Sequence, residues 1–200
     1  MPAPIPLSGP VTRELLAHGM ALVLLDRHED AVPFFSRATS VAPKNPYAWL
    51  ELIGALRETG QFDEALAACD RASNKCAAVD DAWRLERVRI LAKKASRQDE
   101  AGQWKDALAT LDIAIAIAPE DYTLWRQKGV VLKNWGLFGG SPRRCRQALE
   151  ALDRALLLHR EDQEAQAARD LLAEVLPHVE EERRARRAEW SVLPGGHDPG

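Results

Sequence analysis

Four alanines, Ala31, Ala65, Ala107 and Ala148, stand 34, 42 and 41 residues apart, and a second series, Ala38, Ala72, Ala114 and Ala155, repeats the same three intervals. Four positions after the first alanine of each pair comes a larger residue: Phe35, Cys69, Leu111 and Leu152. Upstream of these, Leu15, Trp49, Trp83 and Trp125 recur at 34, 34 and 42. Such a register of small and large positions describes supersecondary units that cannot bury an apolar face alone and must stack on their neighbours. The basic period is 34, with eight residues added in the third copy and seven in the fourth.

Copy two, residues 46–79, carries Trp49, Leu52, Leu56, Gly60, Phe62, Ala65, Cys69 and Ala72. Copy one, 12–45, carries Gly19, Leu22, Phe35 and Pro43; copy three, 80–121, Gly102, Trp104, Leu111 and Pro119; copy four, 122–162, Gly129, Leu132, Gly136 and Leu152. This pattern resembles the tetratricopeptide repeat, a helix-turn-helix unit of about 34 residues. Departures from it include Ile53 and Arg87, which replace a small residue of the first helix, and Arg160, which replaces a proline. The resemblance implies an all-α, right-handed helical-repeat solenoid of four helix pairs.

Helical spacing of the apolar residues predicts helices near 10–25, 28–41, 81–101, 104–117, 122–135 and 142–158, besides the pair in copy two, where Gly60 ends the first helix. Pro33 is expected to bend or shorten the helix that contains it. Ala165, Leu171, Leu172, Val175 and Leu176 mark 163–176 as a capping helix over the last apolar face, so that the solenoid spans 11–176. Outside it, the proline-dense residues 1–10 read as a flexible arm, 177–192 as a charged helix with acids and bases three and four apart, and 193–200 as a disordered tail.

Chemistry is sparse. The formal charge is -3 and the pI near 6.0, which argues against a nucleic-acid binder. Neither a signal peptide nor a membrane-spanning run is visible, and three cysteines make no disulfide framework, so a cytoplasmic setting is expected, with an Ala-, Leu- and Arg-rich composition that points to a bacterium. The five histidines have no partner at zinc-ligand spacing, Cys69 occupies a packing column, and Gly139-Gly140-Ser141 lacks the lysine of a phosphate loop. Ser141 and Pro142 read instead as the start of a helix. No catalytic residues, metal site or cofactor are expected, and the chain is read as a non-enzyme.

What remains is binding. In the tetratricopeptide family the first helices line a concave groove; the resemblance implies a groove through Leu16 and Met20, then Tyr47, Leu50 and Arg57, then Arg84, then Arg126, Lys133 and Asn134. Leu16 and Met20 stand where the family's chaperone-binding members carry Lys and Asn, so a heat-shock chaperone tail is rejected as ligand. The added residues are expected on one edge: eight continuing the first helix of copy three, about 12 Å at 1.5 Å per residue, and seven forming a glycine-rich loop after Gly136 that carries Leu137 and Phe138. The reading is a protein-interaction adaptor that binds a protein or peptide through groove and edge. A regulatory or inhibitory subunit is the alternative, an RNA-contacting repeat less favoured because the groove residues do not repeat in type.

Overall fold

The structure is a computed structural model that describes residues 9–76 and 79–192, the last four of these by their backbone alone. The described residues form helices and turns without a strand: α1 (Pro10–Leu24), α2 (His28–Val41), α3 (Pro46–Glu58), α4 (Phe62–Lys75), α5 (Asp80–Glu100), α6 (Trp104–Ile117), α7 (Tyr122–Phe138), α8 (Pro142–Leu158) and α9 (Gln163–Val192). Apart from Gly9 and Pro10, the arm read at 1–10 lies outside the described residues, as does the tail read at 193–200.

One turn is used four times inside the helix pairs. Three residues join the helices, and the middle one has positive φ: Asp26 at 58°, Gly60 at 80°, Gly102 at 71° and Gly140 at 55°. The following amide then donates to a carbonyl five residues back, Arg27 to Leu22, Gln61 to Leu56, Gln103 to Gln98 and Ser141 to Gly136, each at 2.8 or 2.9 Å. This is the Schellman closure, and its left-handed residue is why glycine recurs there.

Between pairs, a second turn is repeated with an amide returning three residues: Asn45 to Ala42, Val79 to Cys76, Asp121 to Ala118 and Asp162 to His159. Asn45 and Asp121 cap the next helix by accepting from the amides of Tyr47 and Thr123, and Asp162 accepts from those of Glu164 and Ala165. The tryptophan column belongs to this turn. Trp49 Nε1 donates to the Pro43 carbonyl at 2.9 Å, Trp125 Nε1 to Pro119 at 2.9 Å, and Trp83 Nε1 to Cys76 at 3.2 Å. The indole thus fills a core position and satisfies a turn carbonyl.

The turn register corrects the placement of the fourth copy's added residues. They form no glycine-rich loop, because the three-residue turn at Gly140 is the ordinary one. Instead α7 has 17 residues where α3 has 13, and α8 has 17 where α4 and α6 have 14. Four of the seven extend α7 and three extend α8. Leu137 and Phe138 are therefore the last residues of α7, which runs past the expected end at 135. The eight added to the third copy do lengthen one helix, α5, to 21 residues. Pro33 neither ends nor shortens α2, which keeps its full span.

The chain divides into two compact units, residues 1–94 and 95–200. In the first, Phe35, Trp49, Ile53, Leu56, Cys69, Trp83 and Ile90 form the core, with the alanine columns fully buried among them. In the second, Leu132, Cys145, Leu152 and Leu172 pack with Ala148, Ala151, Ala155, Ala165 and Ala168. Leu172 of α9 is fully buried, as a helix covering the last apolar face requires. α9 continues through Pro177, and pairs of Glu180 with Arg184 and Glu182 with Arg186 line its far end.

Candidate binding surface

Within unit 1, the expected groove residues divide by depth. Leu16 and Leu50 are half-buried against the core, whereas Met20 is 49% and Tyr47 55% exposed. Tyr47, Leu50, Gly54 and Arg57 follow one another by three, four and three residues, which places them on one stripe of α3. α1 packs beside α3 and carries Leu16 and Met20 at the equivalent positions, 34 residues earlier than Leu50 and Gly54. At Gly54 the face is notched, since a Cβ there would meet nothing within 4 Å.

The cations of this face are engaged. Arg57 Nη1 lies 2.8 Å from Glu86 Oε2 and its Nε 3.2 Å from Glu58 Oε1. Glu86 is buried and also accepts from Arg89 at 2.5 Å, while Lys93 reaches Glu58 at 3.1 Å and Lys94 reaches Asp63 at 2.8 Å. Part of the stretch added to α5 is thus tied back to α3 and α4. Burial pulls the Glu58 carboxyl upward, but Lys93 and Arg57 outweigh it and hold the group below the usual carboxylate range. Arg84 is exposed on α5.

In unit 2 the same holds. Arg126 donates to Asp162 at 3.1 Å and pairs with Glu164 at 3.0 Å. Asn134 Nδ2 donates to Asp99 Oδ2 at 3.0 Å, and Lys133 is half-buried beside it on α7. The charge of Asp99 is opposed by its burial, which pushes the carboxyl above its ordinary value despite bonds from Asn134 and Trp104. Leu137 packs against the unit-2 core. Phe138 is 82% exposed, with its ring 5.1 Å from that of Trp104.

The sequence does not show that Trp104 lies beside Phe138. Trp104 stacks on Trp135 at 6.3 Å, and the Arg144 guanidinium lies 3.6 Å from the centre of the Trp135 ring. A recess of about 300 Å³ opens beside Trp104 and Trp135. Trp104 is the first residue of α6, so the end of the lengthened α7 meets the start of the second helix of copy three. The sequence signal available was the tryptophan at a position that starts a helix and needs only half its ring for the core.

No site for chemistry is evident among the described residues. The three thiols are buried and unpaired, and burial pushes that of Cys69 up to about 12, far from a nucleophile's range. Among the described residues no group of three or more His, Cys, Asp or Glu could hold a metal ion, and no helix is long and apolar enough to cross a membrane.

A family described as tetratricopeptide repeat matches residues 22–88. No curated protein matches the chain. Among solved structures, a MamA double mutant of strain RS-1 superposes with a TM-score of 0.52 at 17% identity over 90% of this chain and 98% of that one. MamA residues 41 to the end from Desulfovibrio magneticus RS-1 give 0.52 at 16%, over 88% and 97%. A tetratricopeptide repeat protein from Parabacteroides merdae gives 0.58 at 19%, over 88% of this chain and 64% of that one. These likenesses show an all-α helical-repeat fold of the solenoid class. The match places residues 22–88 in the tetratricopeptide-repeat family, and the repeated turns and alanine columns continue the same helix-pair pattern through the other described residues.

Proposed function

We propose that this protein is an interaction module that seats a partner protein or peptide on the α1 and α3 faces of unit 1, with the aromatic end of α7 in unit 2 as a second contact. Tetratricopeptide-repeat proteins generally bind other proteins, and the finer reading rests on the chemistry of the α1 and α3 stripes. Met20 and Tyr47 are half-exposed there while Gly54 leaves open space, and Arg57 is already held by Glu86. A face of this kind favours an apolar or aromatic side chain of the partner, because its nearest cation has no charge to spare for a carboxylate. The aromatic face of Tyr47 supplies contact area at small entropic cost, and the thioether of Met20 adapts to the shape it meets.

The test is an affinity pull-down from the native source with wild-type protein, Met20→Asp and Tyr47→Ala. The expected result is one co-purifying protein that both substitutions deplete while the helical circular dichroism is unchanged. Equal recovery with all three would remove this face as the main contact.

A further inference from the structure

The chain is acidic overall, but one place in unit 2 has the opposite sign. Arg143 and Arg146 of α8 and Arg183, Arg184 and Arg187 of α9 line a recess of about 260 Å³, and Glu180 is the acidic residue among them. Five arginines against one glutamate give the lining +4. Subtracted from the chain's formal -3, this leaves -7 for everything else. The recess also lies at the N-terminal end of α8, where Pro142 is the first residue and the Ser141 side chain provides no cap, so the helix dipole adds to the positive potential.

Glu180 shows what the recess accepts. Its Oε1 lies 2.6 Å from Arg146 Nη2 and its Oε2 3.8 Å from Arg184 Nη2, so one carboxylate is shared by guanidinium groups of two helices. Arg143 and Arg183 are exposed beside it and form no ion pair among the described residues. Five like charges gathered around one carboxylate repel one another unless solvent or another anion screens them, and guanidinium forks match a carboxylate in two parallel hydrogen bonds. We propose that this recess docks an acidic segment of a partner protein, with Arg143 and Arg183 taking its Asp or Glu side chains alongside Glu180.

A short peptide fits the observations better than a nucleic acid. The positive charge is confined to one recess instead of running as a stripe, and a long polyanion leaving it would meet a surface carrying the remaining -7. The recess is distinct from the α1 and α3 face, so the proposal stands or falls separately from the one above.

The test uses the full chain and a fluorescein-labelled oligoglutamate of about ten residues, followed by anisotropy at about 150 mM salt, where weak long-range attraction is screened. The expected result is saturable binding that the double substitution Arg143→Glu, Arg183→Glu weakens at least about tenfold. The same charge change made elsewhere, Arg37→Glu with Lys44→Glu, should alter it less than about twofold. Equal weakening by both pairs overturns the proposal, as does absence of binding by the wild type. Tighter binding of a single-stranded RNA of equal charge overturns it in favour of nucleic acid. Should the reversed pair lose its helical circular dichroism, Arg143→Gln with Arg183→Gln decides by an expected loss of at least about threefold against no change.

Discussion

Gly19 in α1 leaves room for the ring of Phe35 in α2: a Cβ on Gly19 would stand 2.4 Å from Phe35 Cε1, and Phe35 is fully buried. The same relation recurs in the fourth copy, where a Cβ on Gly129 would lie 2.6 Å from Leu152 Cγ. In the second copy the sizes are exchanged, with Ile53 in the glycine column and Cys69 in the large one, both fully buried. Replacing glycine by alanine inside a helix contributes about 1 kcal/mol of stability where nothing opposes it, but overpacking a tight core costs about 1–3. Gly19→Ala and Gly129→Ala should therefore destabilise by up to about 2 kcal/mol, whereas Gly54→Ala, with open space, should stabilise by up to about 1. Urea denaturation of the three variants checks the opposite signs.

The repeated turn makes a second contrast. Asp26 adopts a left-handed conformation that glycine occupies at Gly60, Gly102 and Gly140, and such a conformation costs a residue with a Cβ about 1–2 kcal/mol, less for aspartate. Asp26→Gly should raise stability by about 0.5–1 kcal/mol, its loss being the exposed pair with His28. Gly60→Ala should lower stability by about 1–2 kcal/mol although no atom lies closer than 4.0 Å to the new Cβ. Thermal midpoints that move in the same direction for both would contradict this account.

Asp162 gives stability a pH dependence. Burial would raise its carboxyl, yet the amides of Ala165 and Glu164 together with Arg126 hold it below the ordinary value. A depressed carboxylate contributes stability that is complete above the unfolded value, near about 4, and is lost as pH falls through the folded one. Asp162→Asn retains a good N-cap but not the ion pair. Denaturation of both proteins from neutral to acid pH should show the wild type more stable at pH 7 and the difference closing below about pH 4. A gap that stays constant would assign the stabilisation to another group.

Leu137 and Phe138, adjacent on α7, should respond differently to serine. Leu137 packs on the unit-2 core, so Leu137→Ser is expected to lower stability by about 1–3 kcal/mol. Phe138 is mostly exposed, and Phe138→Ser removes little beyond its contact with Trp104, about 0.5–1.5 kcal/mol. Against the partner recovered by pull-down, Phe138→Ser should weaken binding about tenfold or more, close to 1.4 kcal/mol. Titration calorimetry with unchanged affinity would remove the α7 end from the interface.

Much of the architecture is legible in the sequence because the repeat is read four times over. Ala31, Ala65, Ala107 and Ala148 recur where helix backbones approach, and all four are fully buried. The lengthening of α5 follows from the interval after Trp83, since eight extra residues of helical composition ahead of Gly102 have nowhere else to go. Spacing alone puts the seven of the fourth copy in a loop, because Gly136 stands near a turn. Gly136 is buried, where a Cβ would lie 2.9 Å from Cys145 Sγ, and Gly140 bears the positive φ. Glycine is used for close approach and for left-handed backbone alike, and spacing does not distinguish the two uses.

The sequence by itself determined the period, the helices and the columns of the core, because small and large residues at fixed spacing admit one way of stacking. Only the tertiary structure decided which of the residues expected to line a groove are exposed and which are engaged. Arg57 and Arg126 read alike as open cations, yet Glu86 lies 29 residues from the first and Asp162 36 from the second, and each is buried against its arginine. Pairing of charges depends on which helix faces lie side by side, and that follows from packing, which neither partner's local sequence encodes.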